Sequence, residues 1–276
     1  MKSFKQHCIA LRKKDRTLNE ISKITGRSKT SVFYHIKNIP LGKAKQSKIR
    51  NQTIERAKKV AANRKGKALR SHTTFTKWTP SATLLVAHLV FDGEILRQRC
   101  IYNNRSLELT KRVTHLMKSL YKHPPITRTN AKTGVMRVAF YNVSLSSFLH
   151  AKAMELLKNI TTMPKSSQRE FLRAFFDDEG CMDVRLKRNL RRIRGYQNDR
   201  TILVIVQKLL LNFDIVAKLQ GKNEVVIVGK ENLQRFQTEI NFSKGVRLNP
   251  RRTNSLWKRD LEKRELLALA ISSYKS

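Results

Sequence analysis

Residues 171–180 read FLRAFFDDEG, which places Asp177, Asp178 and Glu179 at the end of an apolar segment in a chain of net charge +38. Phe171, Leu172, Phe175 and Phe176 recur at helical spacing and predict a buried helix. Ser167 and Glu170 form an S-x-x-E pattern that puts its start near Ser167, with Gly180 as its C-terminal stop. The helix dipole leaves partial negative charge at that end, where each carboxylate is disfavoured by roughly 0.3–1 kcal/mol. Three acids there call for a positive partner.

A second apolar helix ends the same way. Thr79 and Pro80, a cap and a first-turn proline, open SATLLVAHLVFDG (81–93), which closes on Asp92-Gly93. Laying LVAHLVFDG (85–93) over LRAFFDDEG (172–180) brings more into register. YNNRSLEL (102–109) answers YQNDRTILV (196–204), each leading into an amphipathic helix. VMRVAFYNVSLSSFL (135–149) answers VVIVGKENLQRF (225–236), with Leu145 and Phe148 matching Leu233 and Phe236. Each half reads helix, hairpin, helix, hairpin, helix, so the chain is expected to be α+β, with two related units fused.

A lone Asp-Gly at a helix end is ordinarily a turn. Two of them, on helices with small residues at Ala87 and Ala174, predict close side-by-side packing that brings Asp92 and Glu179 together. Paired carboxylates without cysteine or histidine ligands are hard oxygen donors suited to Mg²⁺, or Mn²⁺ in its place. Phosphodiester hydrolysis is the chemistry that such a site serves. Asp177 and Asp178 read as helix-end or supporting residues, and His88 as a packed neutral histidine.

The two motifs and the repeat between them resemble a single-chain LAGLIDADG homing endonuclease over about residues 79–276. The resemblance implies two pseudo-symmetric αββαββα units forming a β-saddle over double-stranded DNA, with Asp92 and Glu179 as catalytic, metal-binding acids. It also makes Lys244, in FSKGVR, a candidate catalytic lysine. On the strand CMDVRLK, alternation predicts Met182, Val184 and Leu186 facing the helices, and Asp183, Arg185 and Lys187 facing the DNA, with Arg192 and Arg194 on the return strand. Arg97 and Arg99 are the counterparts in the first unit; simple alternation puts them on the side of Ile95 unless a bulge reverses them. The start at Met1 and the absence of a His-Asn pair before Ser276 fit a free-standing or intron-encoded enzyme rather than an intein.

Composition agrees with a nucleic-acid partner. The 58 Lys+Arg against 20 Asp+Glu make a polycation, and 40% hydrophobic residues argue for folded domains. No apolar run reaches a membrane-spanning length and no signal core follows Met1, so a cytoplasmic, nucleoid-associated monomer without membrane attachment is expected. Cys8, Cys100 and Cys181 are isolated from one another, which excludes a disulfide framework and a zinc ribbon; nucleotide-binding loops and an HExxH motif are absent.

The N-terminal region resembles a helix-turn-helix. Thr17 and Ser28 read as caps, Gly26 as the turn, and Leu18, Ile21, Ile24, Val32 and Ile36 as a shared core, leaving Arg27, Lys29, Thr30 and Tyr34 for DNA. The expected domains are a helix-turn-helix at 1–40, a basic, partly helical linker at 41–78, and the two units at 79–165 and 166–276. Trp78 and Trp257 read as packing anchors. Two other functions are compatible with these residues: a non-cleaving DNA-binding transcriptional regulator of the same fold, and a maturase acting on intron RNA.

Overall fold

The structure is a computed structural model and describes residues 3–64, 72–96, 99–122, 124–248 and 261–274. Arg97 and Trp257 lie outside the described residues. The chain divides into two compact units, Met1–Ala68 and Leu69–Ser276.

The first unit is helical: α1 (Phe4–Lys13), α2 (Leu18–Thr25), α3 (Lys29–Ile36) and α4 (Lys43–Arg64). Reciprocal side-chain and backbone hydrogen bonds between Ser3 and Gln6, and between Thr17 and Glu20, start α1 and α2. Gly26, at φ +66°, ends α2 in the left-handed region that glycine tolerates best, and Ser28 caps α3. Cys8, Ile21, Val32 and Ile36 form the core, with Leu18 packed on its edge. Ile24 is not part of it and is 53% exposed, because Cys8 of α1 closes the core instead. Asp15 accepts from the Gly42 amide at 2.6 Å and Glu20 pairs with Lys45 at 3.3 Å, fixing the start of α4. From Asn51 to Val60 every residue of α4 is exposed, so this stretch is held by its own backbone rather than by a core.

The second unit is α+β and carries the repeat. Its first half runs α5 (Pro80–Phe91), β1 (Gly93–Leu96), β2 (Arg99–Asn104), α6 (Leu107–Tyr121), β3 (Ile126–Thr129), β4 (Met136–Phe140) and α7 (Val143–Asn159). Its second half runs α8 (Lys165–Asp178), β5 (Gly180–Arg185), β6 (Leu190–Tyr196), α9 (Arg200–Leu211), β7 (Ala217–Gln220), β8 (Glu224–Val228) and α10 (Lys230–Glu239), followed by α11 (Lys263–Ser272). The antiparallel sheets have the same order, β1-β2-β4-β3 and β5-β6-β8-β7. The order of elements in each half is therefore αββαββα, and one hydrophobic core runs through both. Among the described residues no helix is long and apolar enough to cross a membrane.

The motif helices α5 and α8 pack against each other, with Ala87 and Ala174 fully buried. The start of α8 differs from the sequence reading. It begins at Lys165 after Pro164; Ser167 is buried inside it and Glu170 pairs with Arg173 rather than capping. Gly180 is not a left-handed stop either. It opens β5, and its requirement is room: a Cβ there would stand 2.4 Å from the Phe176 carbonyl oxygen. A Cβ at Gly93 would stand the same 2.4 Å from the Leu89 carbonyl oxygen.

The two halves superpose one residue away from the register that the sequence suggested. Gly93 pairs with Tyr102 and Gly180 with Gly195, so Tyr102 answers Gly195 rather than Tyr196. The helix caps agree, Ser106 answering Asp199. Strand β5 stops at Arg185, since Leu186–Arg188 form a 3-10 turn closed by Asn189 at φ +51°. Leu186 is consequently 44% exposed instead of facing the helices, and Lys187 lies on the turn rather than on the strand.

Candidate functional site

Asp92 and Glu179 are the C-terminal caps of α5 and α8 in matching geometry. The Asp92 amide donates to the His88 carbonyl at 3.1 Å and the Glu179 amide to that of Phe175 at 2.8 Å. Their own carbonyls accept from Asn103 and Tyr196, each at 3.2 Å, which ties each cap to the second strand of its sheet. The Glu179 charge reaches the Asp92 carboxyl. Burial, then the charges of Asp178 and Glu179, push Asp92 up to about 7. Burial, then Asp178, push Glu179 up to about 7 against the opposing charge of Lys263. Among the described residues neither carboxylate has an ion pair. Asp92 accepts from Asn104 Nδ2 at 2.6 Å.

The other two acids of the run are buried and partnered. Asp178, whose side chain is fully buried, accepts from the Tyr102 hydroxyl at 2.6 Å and lies 2.8 Å from His88 Nδ1. Burial lowers the His88 pKa, but the pairing with Asp178 outweighs it and holds the ring above its ordinary value. His88 thus has a hydrogen-bonded carboxylate partner in Asp178 as well as its packing. Asp177 pairs with Arg112 at 3.1 Å and accepts from the Ser243 amide at 2.9 Å. Lys263, 7% exposed, donates to the carbonyls of Phe176 and Asp177 at 3.1 and 2.7 Å. Arg112 and Lys263 are basic groups that offset the α8 dipole, and they come from α6 and α11.

Across the α5–α8 contact the two motifs use equivalent places differently. His88 and Asp178 stand where the other arm has Phe175 and Phe91, whose rings meet at 5.3 Å. The sheets follow suit: Tyr102 packs edge-on against His88 at 5.6 Å, while Gly195 leaves room for Phe175, whose ring a Cβ would strike at 2.4 Å.

Lys244, the candidate catalytic lysine, is exposed in the segment after α10, and the buried lysine at this site is Lys263. No local pattern marks Lys263 in the sequence. It is reached only by folding α11 back onto β5 and the end of α8.

The outward residues of the second sheet form a cluster that is already paired. Asp183, read from alternation as facing DNA, is 7% exposed and caged by Arg185 at 2.9 Å, Arg192 at 2.9 Å and Arg194 at 3.7 Å. Burial raises its pKa, but hydrogen bonds from Arg192 and Arg185 outweigh that and hold the carboxyl below its ordinary range. Arg194 is also held by both carboxylate oxygens of Glu224. Met182 and Val184 face the core as alternation requires. In the first sheet Arg99 pairs with Leu96 and Ile95 with Cys100, so the hairpin itself turns Arg99 to the face opposite Ile95. In the helical unit Arg27, Lys29, Thr30 and Tyr34 are all exposed on or beside α3, Tyr34 by 71%.

The second unit is thus an α+β repeat whose two motif helices each end in an acid. Residues 166–241 match the family model described as a LAGLIDADG-like domain. Among solved structures, full-length DUF199/WhiA from Thermatoga maritima is 16% identical, with a TM-score of 0.50 over 74% of this chain and 63% of that one. This chain thus spans less than two thirds of that protein's length. A variant of I-DmoI in complex with its target DNA is 18% identical, with a TM-score of 0.47 over 58% of this chain and 95% of that one. The N-terminal LAGLIDADG domain of DUF199/WhiA is 18% identical, with a TM-score of 0.46 over 60% and 84%. At these identities the likeness is one of fold. No curated protein matches the chain.

Proposed function

We propose that this protein is a metal-dependent, site-specific double-strand DNA endonuclease. The observation that carries the reading is that Asp92 and Glu179 cap the same ends of two helices packed on each other, both pushed to about 7 by burial and neighbouring negative charge. Two half-buried carboxylates without a protein cation suit a hard divalent ion, whose remaining ligands are waters and phosphate oxygens. Among the described residues no group of three or more acids, histidines and cysteines could hold a metal ion. Asp92 and Glu179 would hold Mg²⁺ or Mn²⁺, which would neutralise charge on the phosphodiester during hydrolysis.

The chain's own residues do the rest. Asn104 orients the Asp92 carboxylate through one oxygen. Lys263 and Arg112 neutralise the end of α8 without contacting the Asp92 or Glu179 carboxylates, which stay available. Arg99, Arg185, Arg192 and Arg194 lie on the outward sheet faces, where a saddle of strands would meet DNA. The helical unit would add a helix-turn-helix contact through Arg27, Lys29, Thr30 and Tyr34, and the exposed face of α4 would lie along phosphates.

The test is selection of cleaved sites from a randomised duplex library with Mg²⁺. Cutting at one sequence supports the reading. Sequence-specific binding without cutting, at any divalent ion, would instead make the chain a DNA-binding regulator built on the same fold.

A further inference from the structure

The first half contains a cavity of about 500 Å³ between α6 and the β3–β4 hairpin, away from the acid pair. The second half explains why it is there. Aligned by their caps, Thr110 of α6 answers Leu203 of α9, and by strand register Thr127, opposite Val138, answers Leu219, opposite Val225. Leu203 is fully buried and Leu219 packs on the core, so there the same space is filled. Gln207 further ties α9 to the edge strand through the Ala217 carbonyl at 2.8 Å. In the first half threonines stand where the second half has leucines, α6 packs on α5, β2 and β4, and the hairpin runs on past Thr129 and Met136 to form an outer wall.

The lining has two chemistries. Met136 and Val138 make an apolar floor, with Thr110, Thr127 and Thr129 offering hydroxyls. Lys111 and Lys118 stand at its edge with His115, and no acid is among the lining residues; Arg128 and Arg137 border it, but alternation turns their side chains to the opposite sheet face, where Arg137 donates to Asn103. The volume is that of a small-molecule site, and a floor with polar walls and a cationic rim suits a flat, hydrogen-bonding body that carries an anion. Methionine sulfur favours the edge of an aromatic ring, and a lysine ammonium is a point charge suited to phosphate.

We propose that this cavity binds a nucleoside phosphate, its base on the Met136–Val138 floor and its phosphate on the Lys111 and Lys118 rim. The ligand is a free mononucleotide or a single nucleotide at the end of a strand. The site is separate from the cleavage chemistry proposed above and does not depend on it.

The experiment titrates the full chain with a nucleoside monophosphate bearing a fluorescent base, and compares Thr110→Leu/Thr127→Leu, which restores the filling seen in the second half. Saturable binding that the double variant weakens at least tenfold, with folding retained by circular dichroism, supports the site. Lys111→Ala should weaken it severalfold. Competition by unlabelled mononucleotide but not by equal inorganic phosphate is expected; equal competition by phosphate would reduce the site to a rim contact and overturn the proposal. Binding unchanged by the double variant would also overturn it, since attachment to a polycation does not depend on the cavity. A phosphorylated single-stranded RNA that competes more tightly than the mononucleotide identifies a strand end as the source; weaker competition identifies the free nucleotide. If the double variant fails to fold, Thr127→Leu alone gives the same comparison.

Discussion

Asn104 Nδ2 donates to Asp92 Oδ2 at 2.6 Å, and among the described residues Glu179 has no such donor. The two acids share a helix-end geometry but are held differently, one anchored through an oxygen and the other not. Asp92→Asn and Glu179→Gln are each expected to abolish double-strand cleavage while leaving DNA affinity within a few fold, because the basic contact surface lies elsewhere. Cleavage and filter-binding assays on purified variants check this. Wild-type cleavage by both would sink the assignment.

The same two acids should make stability depend on pH in a definite direction. Their ordinary values are 3.8 and 4.5, and in the folded protein both rise to about 7. Between about pH 4 and 7 the folded state binds more protons than the unfolded one, so stability should fall as pH rises through that window and level off above it. Asp92→Asn should flatten the slope. At pH 8, Mg²⁺ that binds the ionised pair should raise the melting temperature of the wild type and not of the variant. Thermal melts across pH, with and without Mg²⁺, provide the comparison.

Tyr102→Phe removes one donor from the fully buried Asp178 and leaves a carboxylate oxygen unsatisfied. The expected cost is about 1–3 kcal/mol in chemical denaturation. Lys263→Met should cost at least as much, because it leaves the carbonyls of Phe176 and Asp177 without their donor at the negative end of a helix. A change under a few tenths of a kcal/mol in either would mean that water takes the place of the lost group.

Arg185→Ala is expected to weaken binding to the preferred site by roughly 1–3 kcal/mol and to do so in a sequence-dependent way. Lys58→Ala and Lys59→Ala, on the exposed face of α4, should weaken every duplex alike and flatten the salt dependence by about 0.9 per lost phosphate contact. Arg194→Ala should also lower stability, since it leaves the nearly buried Glu224 without its bidentate partner. Competition titrations against random DNA at several salt concentrations separate these cases.

What could be read from the residues was whatever repeats along the chain. Two apolar runs ending in an acid and a glycine, each followed by hairpin, helix, hairpin and helix, were enough for the architecture and for the packing of the two motif helices. The start of α8 was misplaced because Ser167-x-x-Glu170 mimics a capping pattern, whereas the helix begins after Pro164. The end of β5 was misplaced because alternation continues through Leu186 while the chain turns at Asn189. The roles of Asp177 and Asp178 were not legible. In sequence the three acids look alike, and what separates them is His88, Tyr102, Arg112 and Lys263, all more than 60 residues away. The caging of Asp183 by arginines was hidden for the same reason, since Arg192 and Arg194 meet it only through the register of β5 and β6.

The unequal contact between α5 and α8 bears on what would happen if the halves were cut apart. A second copy of the first half would bring His88 against Phe91, and a second copy of the second half would bring Phe175 against Asp178, stranding a buried charge on an aromatic ring. Neither half can satisfy its own mirror image. Two genes encoding the pieces on either side of the 160–164 connection should therefore yield obligate heterodimers. The helical seam acts as a mating code, and its grammar lies in four side chains, His88 and Asp178 on one arm, Phe175 and Phe91 on the other.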